Sequence, residues 1–201
     1  MAVKLGLDTL DLSGANLTGA NLAGADLSNA NLTDANLTGA NLRFARLLHA
    51  NLRDANLARA DLTRANLTGA NLGGADLTDA KLSYALLLNI DLSDANLSST
   101  DLYYAKLANA DLTHANLHRA YLIGANLSNA NLNSANLRDA GLYDTDLTGA
   151  NLTGANLTGA DIREAIGINT GPTRTFIGIP YRYIETRSPF APGRTNLRRT
   201  E

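Results

Sequence analysis

Leucine stands at every fifth position from Leu12 to Leu157, 30 times without a break, and Ile162 continues the series. No other feature restricts the fold so tightly. On an α-helix, at about 100° per residue, successive leucines fall roughly 140° apart and make no apolar stripe. On a flat strand, an odd step sends them to alternate faces. Both arrangements defeat burial. The backbone must therefore bend at each quintet so that every leucine faces one shared interior. That describes a solenoid whose coils stack at the strand spacing of about 4.8 Å.

The rest of each quintet agrees. Ala stands two residues before the leucine, with Leu10, Ile90, Thr100 and Thr145 the only departures between positions 10 and 165. Asn or Asp usually separates the two, and Ser or Thr and then often Gly follow the leucine. The small alanine suits a corner that a larger group would jam. The number of quintets per coil follows from the aromatic residues. Within the repeats they occur around Leu42, Leu82, Leu102, Leu122 and Leu142, all multiples of 20 residues apart. Four quintets per coil place them on one face, whereas three would scatter them over every face.

The phrase A-[ND]-L-[ST]-G, as in Ala15-Asn16-Leu17-Thr18-Gly19, resembles the pentapeptide-repeat family. The resemblance covers roughly residues 11–165. It implies an all-β fold, a right-handed quadrilateral parallel β-helix of about 7–8 coils, with Leu and the preceding Ala inward and the other three positions outward. Residues 1–10 form a lead-in or cap, 11–165 the β-helix, and 166–201 a non-repeat tail rich in Pro and Arg.

Two of the four faces carry an unbroken Asn/Asp column before the leucine, from Asp11 and Asn31 on one and from Asn16 and Asn36 on the next. Stacked side-chain amides form ladders along such an axis. Every departure, namely Arg46, Lys81, Leu86, Lys106, Tyr121 and Gly141, falls on the other two faces. Residues 20 apart are neighbours between coils, so Phe44, Arg64, Tyr84 and Tyr104 form one column, with Tyr103, Ile123 and Tyr143 beside it. An arginine between two aromatic rings suits cation–π contact. Around the corner, Leu48, Leu86 and Leu88 are expected to be exposed next to Lys106. The candidate protein-interaction surface is thus Phe44, Arg64, Tyr84, Leu86, Leu88, Tyr103, Tyr104, Tyr121 and Tyr143.

The tail holds all four prolines, with six Arg against two Glu, while residues 1–166 carry 11 basic and 17 acidic groups. An open solenoid end exposes unpaired strand edges, so part of the tail is expected to cap the C-terminal end or to pack on the rod or a neighbour. Segments 173–179 and 181–186 read as short strands around Pro180. The short lead-in makes end-to-end self-association a second expectation.

Several chemistries are disfavoured. Cysteine is absent, which removes disulfides, thiolate ligands and cysteine nucleophiles. Net charge is only -2, so no direct nucleic-acid binding is expected. The start MAVKLGLDTL has no seven-residue apolar run, and no segment approaches the length of a membrane span. A cytoplasmic location is the expectation. The many Asn-Leu-Thr sequons are by-products of the repeat, and no Lys-Ser/Thr completes a phosphate loop. His114 and His118 fall on adjacent sides of the coil, with Asp94 one coil below His114. No third ligand converges there, so neither metal nor cofactor is expected. A filled tube offers no pocket in which to organise catalysis.

Two functions suit such a chain. One is a non-enzymatic interaction rod offering its decorated side to a protein partner or to itself. The alternative is a DNA mimic, because the resemblance extends to members that protect gyrase from quinolones. An array of about 37 Å matches duplex carrying about 22 negative charges, against a net excess here of about 6. The most acidic face holds Asp11, Asp34, Asp54, Asp91, Asp94 and Asp111 against Arg53. No insertion interrupts the array.

Overall fold

A computed structural model describes residues 9–168, together with the backbone of two short strands further on. From residue 11 the pattern is one bridge residue, one leucine, a two-residue turn and one alanine, repeated four times per coil. Each bridge residue pairs in parallel with the residue 20 positions on, from Asp11 with Asn31 through to Asp146 with Ile166. Seven full coils and most of an eighth result. The coils wind right-handed, the hand that parallel crossovers take.

Hydrogen bonds show why five residues suffice for one side. The amide of Ala15 donates to the carbonyl of Leu12 at 3.0 Å, closing the corner. The amide of Leu12 donates to Asn31 O at 2.7 Å, and that of Asn31 to Leu10 O at 2.9 Å, stitching coil to coil. The second turn residue has a positive φ throughout, from Gly14 at 63° to Glu164 at 59°. A turn of this hand requires that conformation at its third residue, which accounts for Gly, Asn and Asp there.

The interior is a continuous column of leucine and alanine, with Leu32 through Leu72 fully excluded from solvent. Each such leucine is worth about 1.5–3 kcal/mol of gross hydrophobic stabilisation, most of it offset by chain entropy. Thr100 and Thr145 replace alanine inside, and their hydroxyls donate to the carbonyls of Leu77 and Leu122 at 2.9 and 2.8 Å. The Asn/Asp ladders take the expected form. Asn96, Asn116 and Asn136 each donate to the side chain one coil below. The same oxygens also accept the amide two residues ahead, as when Asn16 Oδ1 accepts from Thr18 N. Asn and Asp therefore brace both the stack and the turn.

At the C-terminal end the beat breaks. Gly167 occupies the next leucine position with φ 79°, against the backbone of Thr148, and Ile168 is buried in its place. Beyond it, β1 (Tyr183–Arg187) pairs antiparallel with β2 (Thr195–Arg199). The 181–186 expectation overlaps β1, shifted toward the C-terminus. The strand expected at 173–179, the capping role of the tail and the capping role of residues 1–8 lie outside the described residues.

Candidate interaction surface

The turn position with positive φ carries the decorated column. Phe44, Arg64, Tyr84 and Tyr104 have φ of 58°, 59°, 59° and 53°. Bulky side chains in the left-handed region crowd their own carbonyl, at a cost of about 1–2 kcal/mol each. Elsewhere this position is dominated by Gly, Asn and Asp, for which the cost is smaller. The column thus concentrates large side chains where the backbone least favours them.

The four form one continuous stack. The Arg64 guanidinium lies 6.0 Å from the Phe44 ring and 5.6 Å from the Tyr84 ring. Tyr84 and Tyr104 stack nearly parallel at 5.8 Å. Tyr103 stands edge-on to both, at 5.7 Å from Tyr84 and 4.5 Å from Tyr104. Arg43 adds a third cationic contact, 5.7 Å from Phe44, while bonding Asp61 at 3.2 Å. Despite these contacts the rings remain open to solvent, with Phe44 52%, Tyr84 47% and Tyr103 and Tyr104 each 38% exposed.

Other expected members stand apart. Tyr121 and Tyr143 are exposed but touch none of these rings among the described residues. Ile123 intervenes between Tyr103 and Tyr143 in their column. Around the corner only Leu86 is exposed. Leu48 and Leu88, expected to be exposed, are half-buried instead. They follow the central leucine, at a position flanked in register by the coils on either side, Ser28 and Thr68 for Leu48 and Thr68 and Ala108 for Leu88.

Electrostatics along the stripe are locally compensated. Burial raises the Asp61 carboxyl, but the Thr63 hydroxyl and amide and the Arg43 guanidinium outweigh it and hold the group below its ordinary range. At the top of the face Arg163 holds Asp161 down through paired bonds of 2.8 and 2.7 Å. Asp101 accepts the Ser83 hydroxyl at 2.6 Å and the Tyr103 amide at 3.0 Å, which positions Tyr103. Elsewhere, His114 lies 3.4 Å from Asp94. No group of three or more potential metal ligands gathers among the described residues.

The pentapeptide-repeat description matches in eight copies, reaching from residue 11 to residue 166. The chain belongs to the pentapeptide-repeat family. Among solved structures it is similar to HetL, a pentapeptide repeat protein involved in heterocyst differentiation regulation from the cyanobacterium Nostoc sp. strain PCC 7120. That likeness is 36% identity over 79% of this chain and 78% of HetL, with a TM-score of 0.53. It is also similar in fold to trypsin-treated QnrB1, a plasmid-mediated fluoroquinolone resistance protein. There the identity is 19%, over 85% of this chain and 82% of that one, with a TM-score of 0.53. No curated protein matches the sequence. No helix among the described residues is long and apolar enough to cross a membrane.

Within this pentapeptide-repeat rod, sequence spacing locates the column but not two of its supports. One is the positive φ shared by its members. The other is Gly124, one coil above Tyr104, where an added Cβ would fall 2.6 Å from the tyrosine ring. Only a glycine lets that ring settle there. The recurrence of Gly and Asn two residues after the leucine is the signal in the sequence for both.

Proposed function

We propose that this chain is a non-enzymatic interaction rod, cytoplasmic in location, whose aromatic stripe docks a protein partner. The reading rests on one observation above all. Phe44, Tyr84 and Tyr104 occupy strained turn positions, where Gly or Asn would be more comfortable, and yet leave their rings exposed. Strain that adds little to burial is a mark of function. Tyr and Arg around apolar surface are also the residue types that interfaces concentrate. The rigid tube supplies pre-organisation, because the stack needs no ordering on binding.

The test is affinity capture from native lysate with the intact chain and with a variant carrying alanine at Tyr84, Leu86, Leu88 and Tyr104. Loss of a specific partner or of self-association, with the thermal midpoint nearly intact, supports the reading. An unchanged set of bound proteins and an unchanged association state refute it.

The second reading, a DNA mimic acting on a DNA-processing enzyme such as gyrase, draws on the acidic face built on Leu12 and Leu32. There Arg53 pairs with Asp54 at 3.2 Å, which dilutes the charge pattern. Inhibition of supercoiling by purified gyrase would favour it over the interaction rod.

A further inference from the structure

The column that carries the aromatic ledge holds charges of both signs that find no counterpart in the rod. Above Tyr104 it continues as Gly124, Asp144 and Glu164, each one coil on from the last. Arg64, Asp144 and Glu164 are all exposed, and none of them forms an ion pair among the described residues. Arg64 and Asp144 lie four coils apart, about 19 Å at the strand spacing, so they do not meet within one chain. Tyr104 stands midway, two coils from each.

A two-fold axis laid across the face at the level of Tyr104 brings these charges together in two copies. It turns the second rod antiparallel and sets each column against its own counterpart, inverted, so that residue i meets j and j meets i. Arg64 then faces the partner's Asp144, and Asp144 faces the partner's Arg64. The same axis suits the rings. Tyr84 faces the partner's Gly124, over which the partner's Tyr104 ring lies, so aromatic surface meets aromatic surface. In the neighbouring column Lys81 is exposed and forms no ion pair among the described residues. It faces the partner's Tyr121, a ring 56% exposed and suited to cation–π contact. Asp101 meets its own counterpart on the axis, but its carboxylate already accepts the Ser83 hydroxyl and the Tyr103 amide. A lysine also lies one coil from it on either side, its own Lys81 below and the partner's Lys81 above.

Neighbouring registers do less well. A shift of one coil in one direction sets Phe44 against the partner's Asp144. A shift in the other pairs Arg64 with the partner's Glu164, but opposes Asp61 to the partner's Asp161 and Lys81 to a bare glycine, the partner's Gly141.

We propose that the aromatic ledge is the contact face of an antiparallel homodimer centred on Tyr104, in which Arg64 of each copy pairs with Asp144 of the other. This rests on the docking reading and deepens it by naming a second copy of the chain as the occupant. The patch runs about 29 Å from Phe44 to Glu164 and about 10 Å across its columns. At about 300 Å² per copy it belongs with weak, reversible associations, so the face is free in dilute solution and covered at high concentration.

Sedimentation velocity of the full-length chain from about 10 to about 500 µM tests this, with the parent expected to pass from monomer toward dimer across the range. Arg64→Glu and Asp144→Arg are each expected to weaken self-association at least about tenfold, because like charges then meet at both contacts. An equimolar mixture of the two variants is expected to regain the parent's association, since both contacts of the mixed pair again join opposite charges. Neither variant strains the turn anew, because Glu164 and Arg64 already hold these residue types there at φ 59°. A parent that stays monomeric throughout, single variants that associate like the parent, or a mixture no stronger than its components overturns the proposal. A monomeric parent whose alanine variant still loses a captured partner sinks the dimer and leaves the docking reading standing, so the two fail separately.

Discussion

The ring of Tyr104 settles over Gly124, one coil nearer the C-terminus, with Cε1 only 2.6 Å from where a β-carbon would stand. The same glycine has φ 65°, so it serves both the turn and the ring. Gly124→Ala must therefore strain the backbone and push the tyrosine aside. We expect a loss of about 1–2 kcal/mol in urea unfolding, accompanied by displaced ring signals for Tyr104 and Tyr84. Unchanged ring signals would contradict this account of the ledge.

Core positions separate from their polar replacements in a second prediction. Leu97→Ala empties a fully buried site between coils and should cost about 2–5 kcal/mol. Thr100→Ala, three residues away, restores the usual residue of its position. The Leu77 carbonyl that accepts the Thr100 hydroxyl also accepts the Ala80 amide at 3.0 Å, so no acceptor is left bare. We expect a change within about 1 kcal/mol. Comparable losses in the two variants would show that the threonine rung does more than fill space.

Much of this architecture is legible in the chain itself. Leu12 to Leu157 set the period, and the positions of Phe44, Tyr84, Tyr104, Tyr121 and Tyr143 set the number of sides. Both follow from spacing alone. The conformation of the turn does not, because Phe44 and Tyr104 are residues that propensity would never place at positive φ; only the leaning of neighbouring quintets toward Gly and Asn betrays it. Leu48 and Leu88 depart from expectation for a related reason. Their position faces outward, but the coils above and below cover part of each side chain. β2 leaves little trace because TNLRR carries little of the β-branched and aromatic character that marks strands.

Acid should weaken the fold in a defined window. The Arg163 guanidinium holds Asp161 below its ordinary value of 3.8. The Ser13 amide and hydroxyl do the same for Asp11. A carboxyl depressed in the folded state contributes stability that is complete above the unfolded value and fades as pH falls through the folded one. The thermal midpoint should therefore be level from pH 7 to about pH 5 and decline below about pH 4. Asp161→Asn should flatten part of that decline. A midpoint that rises on acidification from about pH 4 to about pH 2.5 would reverse the sign of the linkage.

The central claim is that the aromatic column exists at the expense of backbone comfort because it binds something. Tyr84→Asn with Tyr104→Asn tests it most directly, since asparagine relieves the left-handed strain while removing both rings. Urea unfolding and partner capture are measured on the same preparation. The account predicts a stability equal to the parent or higher by up to about 1 kcal/mol, with the bound partner lost. A stability lower by more than about 2 kcal/mol with capture intact would contradict it, and would make the column a structural brace.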